Sequence, residues 1–269
     1  MKLSVITICY NSEKTVERTI KSVLGQTYKD FEYIIVDGGS KDSTLDIVRK
    51  YEPLFEGRMK WKSEPDKGIY DAMNKGIQRS TGDIIGIVNS DDWLEPTAME
   101  HIVNLANKVE NYKDCLFCGS MKFHYTNGSS QEMLADKNKF EKGVVNYSFN
   151  HGAYHPAIYV GSNVYNEVGL FDIRFRYAAD IDFIARSHKE GKKFYFTNAI
   201  VTNMADGGIS NAFSLKNVIA DKKLSFKKRD ISGVKARLLL CYFCVKLLIK
   251  RITPTSLLEK YRRSNFNLQ

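Results

Sequence analysis

The stretch Ile84-Ile85-Gly86-Ile87-Val88-Asn89-Ser90-Asp91-Asp92 decides the fold, because a short apolar run ends there in two adjacent carboxylates. Ile and Val runs of this length, bounded by Gly82 and by polar residues, predict a buried strand of a parallel sheet. Open α/β sheets bind ligands beyond the carboxyl ends of their strands, where Asp91 and Asp92 would lie. Neighbouring carboxylates repel each other, so they favour a divalent cation between them, with phosphates as further ligands. The alternative at this point is an ordinary solvated turn.

The formal net charge of the 269-residue chain is +9, and it is unevenly distributed. Residues 211–269 hold 14 Lys or Arg and 3 Asp or Glu and therefore carry +11, which leaves −2 for residues 1–210. Because the basic character belongs to the C-terminal segment, the sequence argues against a nucleic-acid-binding body. We expect one α/β domain over residues 1–210 and a basic helical segment over residues 211–269.

Signals for targeting and for disulfides are absent from the sequence. Met1-Lys2 leads directly into a strand pattern without a signal-peptide region, and no apolar run approaches the roughly 18 residues of a membrane span. The five cysteines include two Cys-x-x-Cys pairs, at 115 and 118 and at 241 and 244. Both pairs stand in apolar runs far apart in the chain, so we expect buried free thiols in a reducing compartment rather than a zinc site.

Strand and helix patterns alternate up to residue 92. We expect strands at 3–9, 31–36 and 60–63, and helices from the expected N-cap Ser12 to 24, at 44–51 and at 69–79. This alternation predicts right-handed βαβ crossovers and a mostly parallel, Rossmann-like sheet flanked by helices. The loops after the strands carry Asp37, Asp66, Asp91 and Asp92, which we expect to converge on one crevice. No G-x-G-x-x-G or P-loop follows the first strand, which argues against a dinucleotide oxidoreductase.

The pattern beyond residue 92 is less regular. We expect a helix from Pro96 to about Val109, a hairpin of strands at 116–125 and 131–134, a strand at 157–160, a helix near Ile181 and a last strand at 193–201. Residues 136–150 show no clear periodicity. Two helices are expected in the basic segment, at 211–229 and at 234–252, with a break at Gly233.

Four stretches, taken in their order and spacing, resemble family 2 glycosyltransferases of the GT-A fold. They are residues 4–11 (Ser-Val-Ile-Thr-Ile-Cys-Tyr-Asn), 36–40 (Val-Asp-Gly-Gly-Ser), 89–92 (Asn-Ser-Asp-Asp) and 178–182 (Ala-Ala-Asp-Ile-Asp). Residues 64–76, Glu-Pro-Asp-Lys-Gly-Ile-Tyr-Asp-Ala-Met-Asn-Lys-Gly, are similar to a subgroup that builds bacterial surface polysaccharides of the exopolysaccharide, O-antigen or colanic-acid type. The resemblance implies a GT-A catalytic domain at 1–210, with a nucleotide-sugar-binding half at 1–92 and an acceptor half at 93–210.

On the donor side, the resemblance implies roles for five residues. Tyr10 and Asp37 would hold the nucleotide base, with the Asp37 carboxylate accepting from a base N–H. Asp66 and the loop after it would line the donor pocket. Asp91 would contact the ribose or the donor sugar, and Asp92 would bind Mg²⁺ or Mn²⁺ on the diphosphate.

On the acceptor side, the resemblance implies that Asp180 is the general base, and His155 corresponds to a histidine before the acceptor-side strand. A base of this kind contributes typically 10²–10⁴-fold to the rate by taking the proton of the acceptor hydroxyl. A bound metal would act as a Lewis acid on the leaving diphosphate. Direct displacement assisted by a single base implies inversion of the anomeric carbon.

Structural roles are the alternatives for several of these residues. Asp37 could be a plain turn residue and Asp180 a helix cap. We expect Asp182 to pair with Arg186 four residues later on the same helix. Residues Asn74 and Lys75 could belong to the donor pocket or to a solvated helix face.

The basic segment predicts a helix that cannot stand fully in water. Lys235, Lys246 and Lys250 fall on one stripe of the second helix, and apolar residues cover most of the rest. We expect this segment to dock on an anionic membrane surface, through its basic charge and its apolar side chains. The alternative is a helix that packs on the catalytic domain or on a twin subunit in a homodimer.

The leading functional hypothesis is an inverting, metal-dependent glycosyltransferase at the cytoplasmic face of the membrane. Its donor would be a nucleotide sugar, with UDP as the commonest nucleotide, and its acceptor a lipid-linked sugar or a polysaccharide. One alternative is a nucleotidyltransferase, which also uses a parallel sheet and paired aspartates but needs a glycine-rich phosphate loop. The other is a basic nucleic-acid-binding protein, for which no recognition motif is present.

Overall fold

The computed structural model describes residues 1–146, 152–207, 214–228 and 230–252 of the chain. It contains two compact units, Met1–Ala212 and Phe213–Gln269. The first unit contains the sheet with its flanking helices, and the described part of the second unit contains two helices.

Strands and helices alternate through the first third of the chain, as the sequence predicts. The strands are β1 (Leu3–Cys9), β2 (Phe31–Asp37), β3 (Met59–Ser63), β4 (Ile84–Ile87), β5 (Trp93–Leu94), β6 (Cys115–His124), β7 (Ser130–Met133), β8 (Ile158–Gly161) and β9 (Lys193–Ala205). The helices are α1 (Val16–Leu24), α2 (Thr44–Tyr51), α3 (Ile69–Arg79), α4 (Ala98–Ala106), α5 (Lys137–Asn146), α6 (Ser162–Val168), α7 (Ala179–Lys189), α8 (Leu215–Lys227) and α9 (Gly233–Ile252).

One mixed sheet runs through the described part of the first unit in the order β3-β2-β1-β4-β8-β6-β9-β5, with β7 paired to β6. β3, β2, β1 and β4 are parallel, and β8 is antiparallel to both β4 and β6. Since β2 and β4 lie on opposite sides of β1, the chain reverses its direction of travel across the sheet at β1. Such a switch point opens a crevice beyond the carboxyl ends of the strands. The predicted α/β class is confirmed, and it positions the loops after β1, β2 and β4 around this crevice.

The hydrophobic core of the first unit includes the parallel strands and the helices that pack on them. All seven residues of β1 and all seven of β2 are buried, as expected for strands that are covered on both faces. Val16, Ile20 and Val23 of α1 are fully buried against this layer, and burying each such side chain stabilises the fold by about 1.5–3 kcal/mol. α3 approaches the sheet closely at Gly76, where a Cβ atom would come within 2.5 Å of Ile6 Cγ2.

A buried carboxylate, Glu32, stabilises the amino-terminal ends of the strands. Glu32 Oε1 accepts hydrogen bonds from Ser4 Oγ at 2.7 Å and from the backbone N–H of Thr81 at 2.6 Å. Its other oxygen pairs with Lys2 at 3.2 Å and Lys60 at 3.4 Å. Burial alone would raise the pKa of Glu32, but the Ser4, Thr81 and Lys2 donors lower it to about 2. Glu32 therefore links β1, β2, β3 and the loop before β4.

Several boundaries differ from the sequence-based expectations. α1 begins at Val16 rather than after Ser12, because Asn11 adopts a left-handed φ of 50° and the next residues form a turn. α4 begins at Ala98, two residues after Pro96. The hairpin of β6 and β7 is confirmed. Helices α5 and α6 and the two-residue strand β5 were not predicted, since each is short or only weakly amphipathic.

The described cysteines are free thiols with different exposure. Cys9, Cys115 and Cys118 are buried, as predicted, whereas Cys241 on α9 is exposed, which corrects the expectation for that residue. Burial raises the pKa of the Cys9, Cys115 and Cys118 thiols above the ordinary value. These three thiols are consequently protonated and inert near neutral pH.

The second unit pairs α8 with α9, and the Lys222 ammonium lies 4.5 Å from the centre of the Phe243 ring. The described face of α9 exposes five large apolar side chains, namely Val234, Leu238, Leu239, Tyr242 and Val245. The side chains of Lys235, Lys246 and Lys250, on which the predicted basic stripe depends, lie outside the described residues. Among the described residues, no helix is both long and apolar enough to cross a membrane.

Candidate active site

The loop after β1 is fixed by two hydroxyls, one from the loop that follows β2 and one from the first residue of α2. The backbone N–H of Asn11 donates to Ser40 Oγ at 2.8 Å, and that of Ser12 donates to Thr44 Oγ1 at 2.7 Å. These bonds leave the preceding side chain, Tyr10, 61% exposed at the carboxyl end of β1. An aromatic ring that projects at a switch point offers a flat surface on which a planar ligand can stack.

Asp37, at the end of β2, is fully buried and surrounded by donors from the turn after β2 and from the end of β3. Oδ2 accepts hydrogen bonds from the backbone N–H groups of Gly39 at 3.0 Å and Ser40 at 2.9 Å and from Ser63 Oγ at 2.6 Å. Oδ1 accepts a hydrogen bond from the Ser40 hydroxyl. Burial would raise the pKa of Asp37, but these donors lower it below the ordinary value. The carboxylate predicted to bind the base therefore organises the turn after β2.

Asp66 lies against the backbone of Gly38. A Cβ atom at Gly38 would come within 2.4 Å of Asp66 Oδ2 and within 3.3 Å of the Tyr10 ring. Asp66 Oδ1 accepts the N–H of Gly68 at 2.7 Å, and no other described residue donates to this carboxylate. The fold thus brings Asp66 and Tyr10, both predicted to lie on the donor side, close to each other at Gly38.

Residues 89–92 follow β4 and are held by the first loop and by α1. The hydroxyls of Ser12 and Ser90 form a hydrogen bond of 2.8 Å, which joins the loop after β1 to the loop after β4. The Arg18 guanidinium donates to the carbonyl oxygen of Asp91 at 2.6 Å. The two loops on either side of the switch point are consequently linked directly.

The two adjacent carboxylates of this loop have different surroundings. Asp92 is 1% exposed, and its oxygens accept from the backbone N–H of Ala205 and from Asn89 Nδ2, both at 3.1 Å. Burial, and then repulsion from Asp91, raise the pKa of Asp92 to about 7. Asp91 is more accessible, burial raises its pKa, and no other described residue donates to its carboxylate. The sequence assigned the metal to Asp92, but Asp91 has the free oxygens.

The oxygens around this loop fit a hard divalent cation. Asn89 Oδ1 is buried without a hydrogen-bond partner, and it belongs to the same short loop as the Asp91 carboxylate. Amide and carboxylate oxygens are ligands that Mg²⁺ and Mn²⁺ accept, with waters and substrate phosphates as the others. Within the described ranges, no group of three or more His, Cys, Asp or Glu side chains could hold a metal ion by itself. A metal here would therefore depend on phosphate oxygens to complete its ligand set.

Asp180, the predicted general base, stands in the first turn of α7 and is hydrogen-bonded to α3. The hydroxyl of Tyr70 donates to Asp180 Oδ1 at 3.1 Å. Tyr70 is buried, and burial followed by the charge of Asp180 raises its pKa well above the usual value. Ala178 occupies the N-cap of α7, so Asp180 is not the capping residue. Tyr70 was not predicted as a site residue, because its side chain falls on the apolar face of α3.

His155 and Asn74 also belong to this region. Burial lowers the pKa of His155, while the charge of Asp180 raises it, and the His155 ring meets Phe171 edge to face at 5.5 Å. Asn74 donates to the carbonyl of Phe171 at 2.9 Å and accepts from its N–H at 3.0 Å. Asn74 is therefore a structural clamp rather than a solvated residue. The predicted pair of Asp182 and Arg186 is confirmed at 2.9 Å.

The predicted residues form a connected series along one edge of the sheet. The loop that contains Asp66 leads into α3, and Tyr70 follows Asp66 by four positions, a span of at most about 14 Å. Tyr70 in turn contacts Asp180. The donor-side residues and the predicted base are therefore near neighbours, joined through the first turn of α3.

Comparison with known proteins identifies the family of this chain. A family model described as Glycosyl transferase family 2 matches residues 4–164. An uncharacterized glycosyltransferase of Mycobacterium tuberculosis is 33% identical over 187 residues, which cover 69% of this chain and 68% of the relative. A PGL/p-HBAD biosynthesis glycosyltransferase of Mycobacterium bovis is 30% identical over 234 residues, which cover 84% of this chain and 82% of the relative.

Solved structures with the same fold include two with bound nucleotide sugars. S. aureus TarS 1–349 in complex with UDP-GlcNAc has a TM-score of 0.67 and 20% identity over 83% of this chain and 65% of that one. A mannosyltransferase from Pyrobaculum calidifontis in complex with GDP-Man and Mn²⁺ has a TM-score of 0.61 and 15% identity over 87% of this chain and 65% of that one. The present chain spans less than two thirds of either. From the family match, the relatives and the shared GT-A fold, it follows that this chain belongs to glycosyl transferase family 2, a family of enzymes that transfer sugars.

Proposed function

We propose that the protein transfers a sugar from a nucleoside diphosphate, most simply UDP, to a hydroxyl group of a lipid-linked or polysaccharide acceptor. The observation that supports this proposal is a series of contacts: Asp66 and Tyr10 both lie at Gly38, Ser12 joins the loop of Asp91 through Ser90, and Tyr70 beside the Asp66 loop contacts Asp180. An aromatic ring, an acidic loop and a separate base are what a nucleotide-sugar reaction requires. TarS was solved with UDP-GlcNAc, which supports a UDP donor.

We assign the donor diphosphate to the loop at residues 89–92, with a Mg²⁺ or Mn²⁺ ion. When bound, the ion would stabilise the negative charge of the leaving diphosphate. The free oxygens of Asp91 support it as the residue that meets the ion, with Asn89 Oδ1 beside it. The buried Asp92 would hold the loop against the end of β9 through Ala205.

Asp180 acts as the general base in this proposal. The acceptor oxygen forms a bond to the anomeric carbon, the bond from that carbon to the diphosphate oxygen breaks, and the acceptor proton passes to Asp180. One displacement of this kind inverts the anomeric carbon. The Tyr70 hydroxyl, at 3.1 Å, orients Asp180 and leaves its other oxygen for the acceptor.

We further propose that the second unit docks on the anionic cytoplasmic leaflet and so brings the enzyme to a lipid-linked acceptor. Its support is the net charge of +11 over residues 211–269 and the apolar face of α9 that includes Val234, Leu238 and Tyr242, which are 72%, 66% and 61% exposed. Basic residues near such a surface contribute about 1 kcal/mol each.

Co-sedimentation with liposomes tests this docking. We expect recovery with vesicles that contain phosphatidylglycerol, little recovery with phosphatidylcholine alone, and loss when Leu238 and Tyr242 are both replaced by Ser. Equal recovery with both vesicle types, or none, contradicts membrane docking. A dimeric mass in light scattering that the same double substitution abolishes would instead assign this face to a homodimer.

A donor screen tests the proposed activity. Release of free nucleoside diphosphate from a panel of UDP-, GDP- and CDP-sugars should be detected for one nucleotide class and should require Mg²⁺ or Mn²⁺. The Asp180→Asn variant should bind the same nucleotide and should not transfer the sugar. The absence of turnover with every donor, in the presence of membrane lipid extract as acceptor, would contradict the proposal.

A further inference from the structure

One carboxylate oxygen of Asp66 accepts no hydrogen bond from the residues that the structure describes, and it lies against the position of Gly38. We infer that Asp66, rather than Asp37, accepts the N–H of the nucleobase, and that residue 38 is glycine to admit the Asp66 carboxylate. This inference rests on the proposed function, in which the donor is a nucleotide sugar, and it names the residue that selects the base.

Asp37 is unsuited to this task because its oxygens are already bound. Two backbone N–H groups and two serine hydroxyls donate to its carboxylate, and the side chain is fully buried. A base that approached Asp37 would have to displace these donors and leave them without partners, which is costly in a buried site. The role of Asp37 is to fix the turn after β2.

Gly38 is required for space and not for backbone conformation. The residues with left-handed φ in the described structure include Gly39 and Gly68 but not Gly38. A methyl group at Gly38 would nevertheless lie 2.4 Å from Asp66 Oδ2, far inside van der Waals contact. The volume that a side chain at residue 38 would occupy is thus filled by the Asp66 carboxylate, which enters from the loop after β3.

The two oxygens of Asp66 are not equivalent. Oδ1 is held by the N–H of Gly68 at 2.7 Å, which orients the carboxylate. Oδ2 accepts no hydrogen bond from the described residues. It lies 2.4 Å from the position of a Cβ atom at Gly38, and that position is 3.3 Å from the exposed Tyr10 ring. A planar base stacked on Tyr10 would present its edge to Oδ2.

A single free acceptor selects among the bases by their donor pattern. Uracil presents one N–H, at N3, which matches one carboxylate oxygen. Guanine presents two parallel N–H donors, for which both oxygens are needed, and Oδ1 is already engaged. Cytosine can donate from its N4 amino group, but it presents an acceptor at N3, which a carboxylate repels. The arrangement therefore favours a pyrimidine with a protonated N3, as in uridine and thymidine nucleotides.

The Asp66→Asn variant makes this selection testable, because it should replace the hydrogen-bond acceptor that faces the base with a donor. The amide oxygen must face the Gly68 N–H, so the amide NH₂ takes the place of Oδ2 and offers a donor to the base. UDP should then bind about 10- to 100-fold more weakly, since a hydrogen bond to a charged acceptor is lost. CDP, with its acceptor at N3, should bind better relative to UDP than it does to the wild-type protein.

The experiment is calorimetric titration of the full chain with UDP, CDP and N3-methyl-UDP in the presence of Mn²⁺. For the wild-type protein, methylation of N3 should weaken UDP binding by about 10- to 100-fold, and Asp66→Asn should abolish this difference. Gly38→Ala, which displaces the carboxylate without removing it, should behave like Asp66→Asn. Asp71→Asn is the matched control in the first turn of α3, where Asp71 accepts the N–H of Lys67 from the Asp66 loop at 3.0 Å, and it should keep the wild-type base preference.

The outcomes separate this inference from the proposed function. If wild-type protein binds UDP and N3-methyl-UDP equally, the inference is overturned even though a nucleotide donor remains supported. The same holds if Asp66→Asn retains the wild-type ratio of UDP to CDP affinity, or if Asp37→Asn changes that ratio and Asp66→Asn does not. If no nucleoside diphosphate binds to the wild-type protein, the proposed function fails and this inference fails with it.

Discussion

The Tyr70 hydroxyl donates a hydrogen bond to Asp180 Oδ1 at 3.1 Å, across 110 positions of sequence. Tyr70 stands in the first turn of α3, directly after the loop that contains Asp66, and Asp180 stands in the first turn of α7. The bond therefore couples the donor side of the crevice to the predicted base.

Replacement of Tyr70 by Phe should reduce kcat and leave nucleotide affinity nearly unchanged. Loss of a hydrogen bond from a neutral donor to a carboxylate costs about 1.5–3 kcal/mol, which corresponds to about 10- to 100-fold in rate. Steady-state kinetics at saturating donor and titration with UDP would measure the two effects separately. The control is Tyr28→Phe, which removes a hydroxyl bonded at 2.6 Å to the carbonyl of Met1 and should leave both values unchanged. Equal reductions of kcat in Tyr70→Phe and Tyr28→Phe would argue that Tyr70 has only a packing role.

Substitution of Asp91 should weaken metal binding, whereas substitution of the adjacent Asp92 should lower stability. Asp91→Ala should weaken Mn²⁺ binding in the presence of UDP by about 10-fold and leave the free energy of unfolding unchanged, since no other described residue donates to that carboxylate. Asp92→Ala should lower the free energy of unfolding by about 1–3 kcal/mol, because the Ala205 N–H loses its partner. Denaturant titration and Mn²⁺ titration of both variants provide the test. Weaker Mn²⁺ binding by Asp92→Ala and lower stability of Asp91→Ala would instead assign the metal to Asp92, as expected from the sequence.

Glu32 should make stability depend on pH in the acid range. Its pKa in the folded protein is about 2, below the ordinary value of 4.5, so its stabilising contribution is complete above about pH 4.5 and declines as the pH falls towards 2. Glu32→Gln should therefore be less stable than the wild-type protein by about 2–3 kcal/mol at pH 7 and by less than about 1 kcal/mol at pH 2.5. Urea unfolding at the two pH values measures this. Glu110→Gln, at an exposed position, is the control; a deficit for Glu32→Gln that is as large at pH 2.5 as at pH 7 would contradict the assignment.

The parallel half of the sheet could be predicted from the sequence because its signals are local. β1 and β2 are continuous apolar runs, α1 carries an apolar stripe, and acidic residues end the strands. The parallel pairing of these strands follows from the βαβ pattern, whereas their order around β1 was not predicted. The second half was less predictable, since β5 has only two residues and depends on pairing with β9.

The residue types of the candidate site could be predicted from the sequence, but the role of each residue could not. The strand-end acids were found, whereas Tyr70 was missed because a tyrosine on the apolar face of a helix has the pattern of a core residue. The burial of Asp37 and Asp92 depends on donors from other segments, Ser63 and Ala205, which no local pattern displays. The space at Gly38 likewise becomes meaningful only when Asp66 is seen to fill it.

The most direct test of the account is a comparison of sugar transfer and nucleotide binding for Asp180→Asn. If Asp180 takes the acceptor proton, kcat should fall by at least about 100-fold, while the Kd for UDP with Mn²⁺ stays within about twofold of the wild-type value. The Asp182→Asn variant, altered in the residue that pairs with Arg186, should retain transfer. Transfer by Asp180→Asn at a rate close to that of the wild-type protein would contradict the central claim that this carboxylate is the base of a glycosyl transfer.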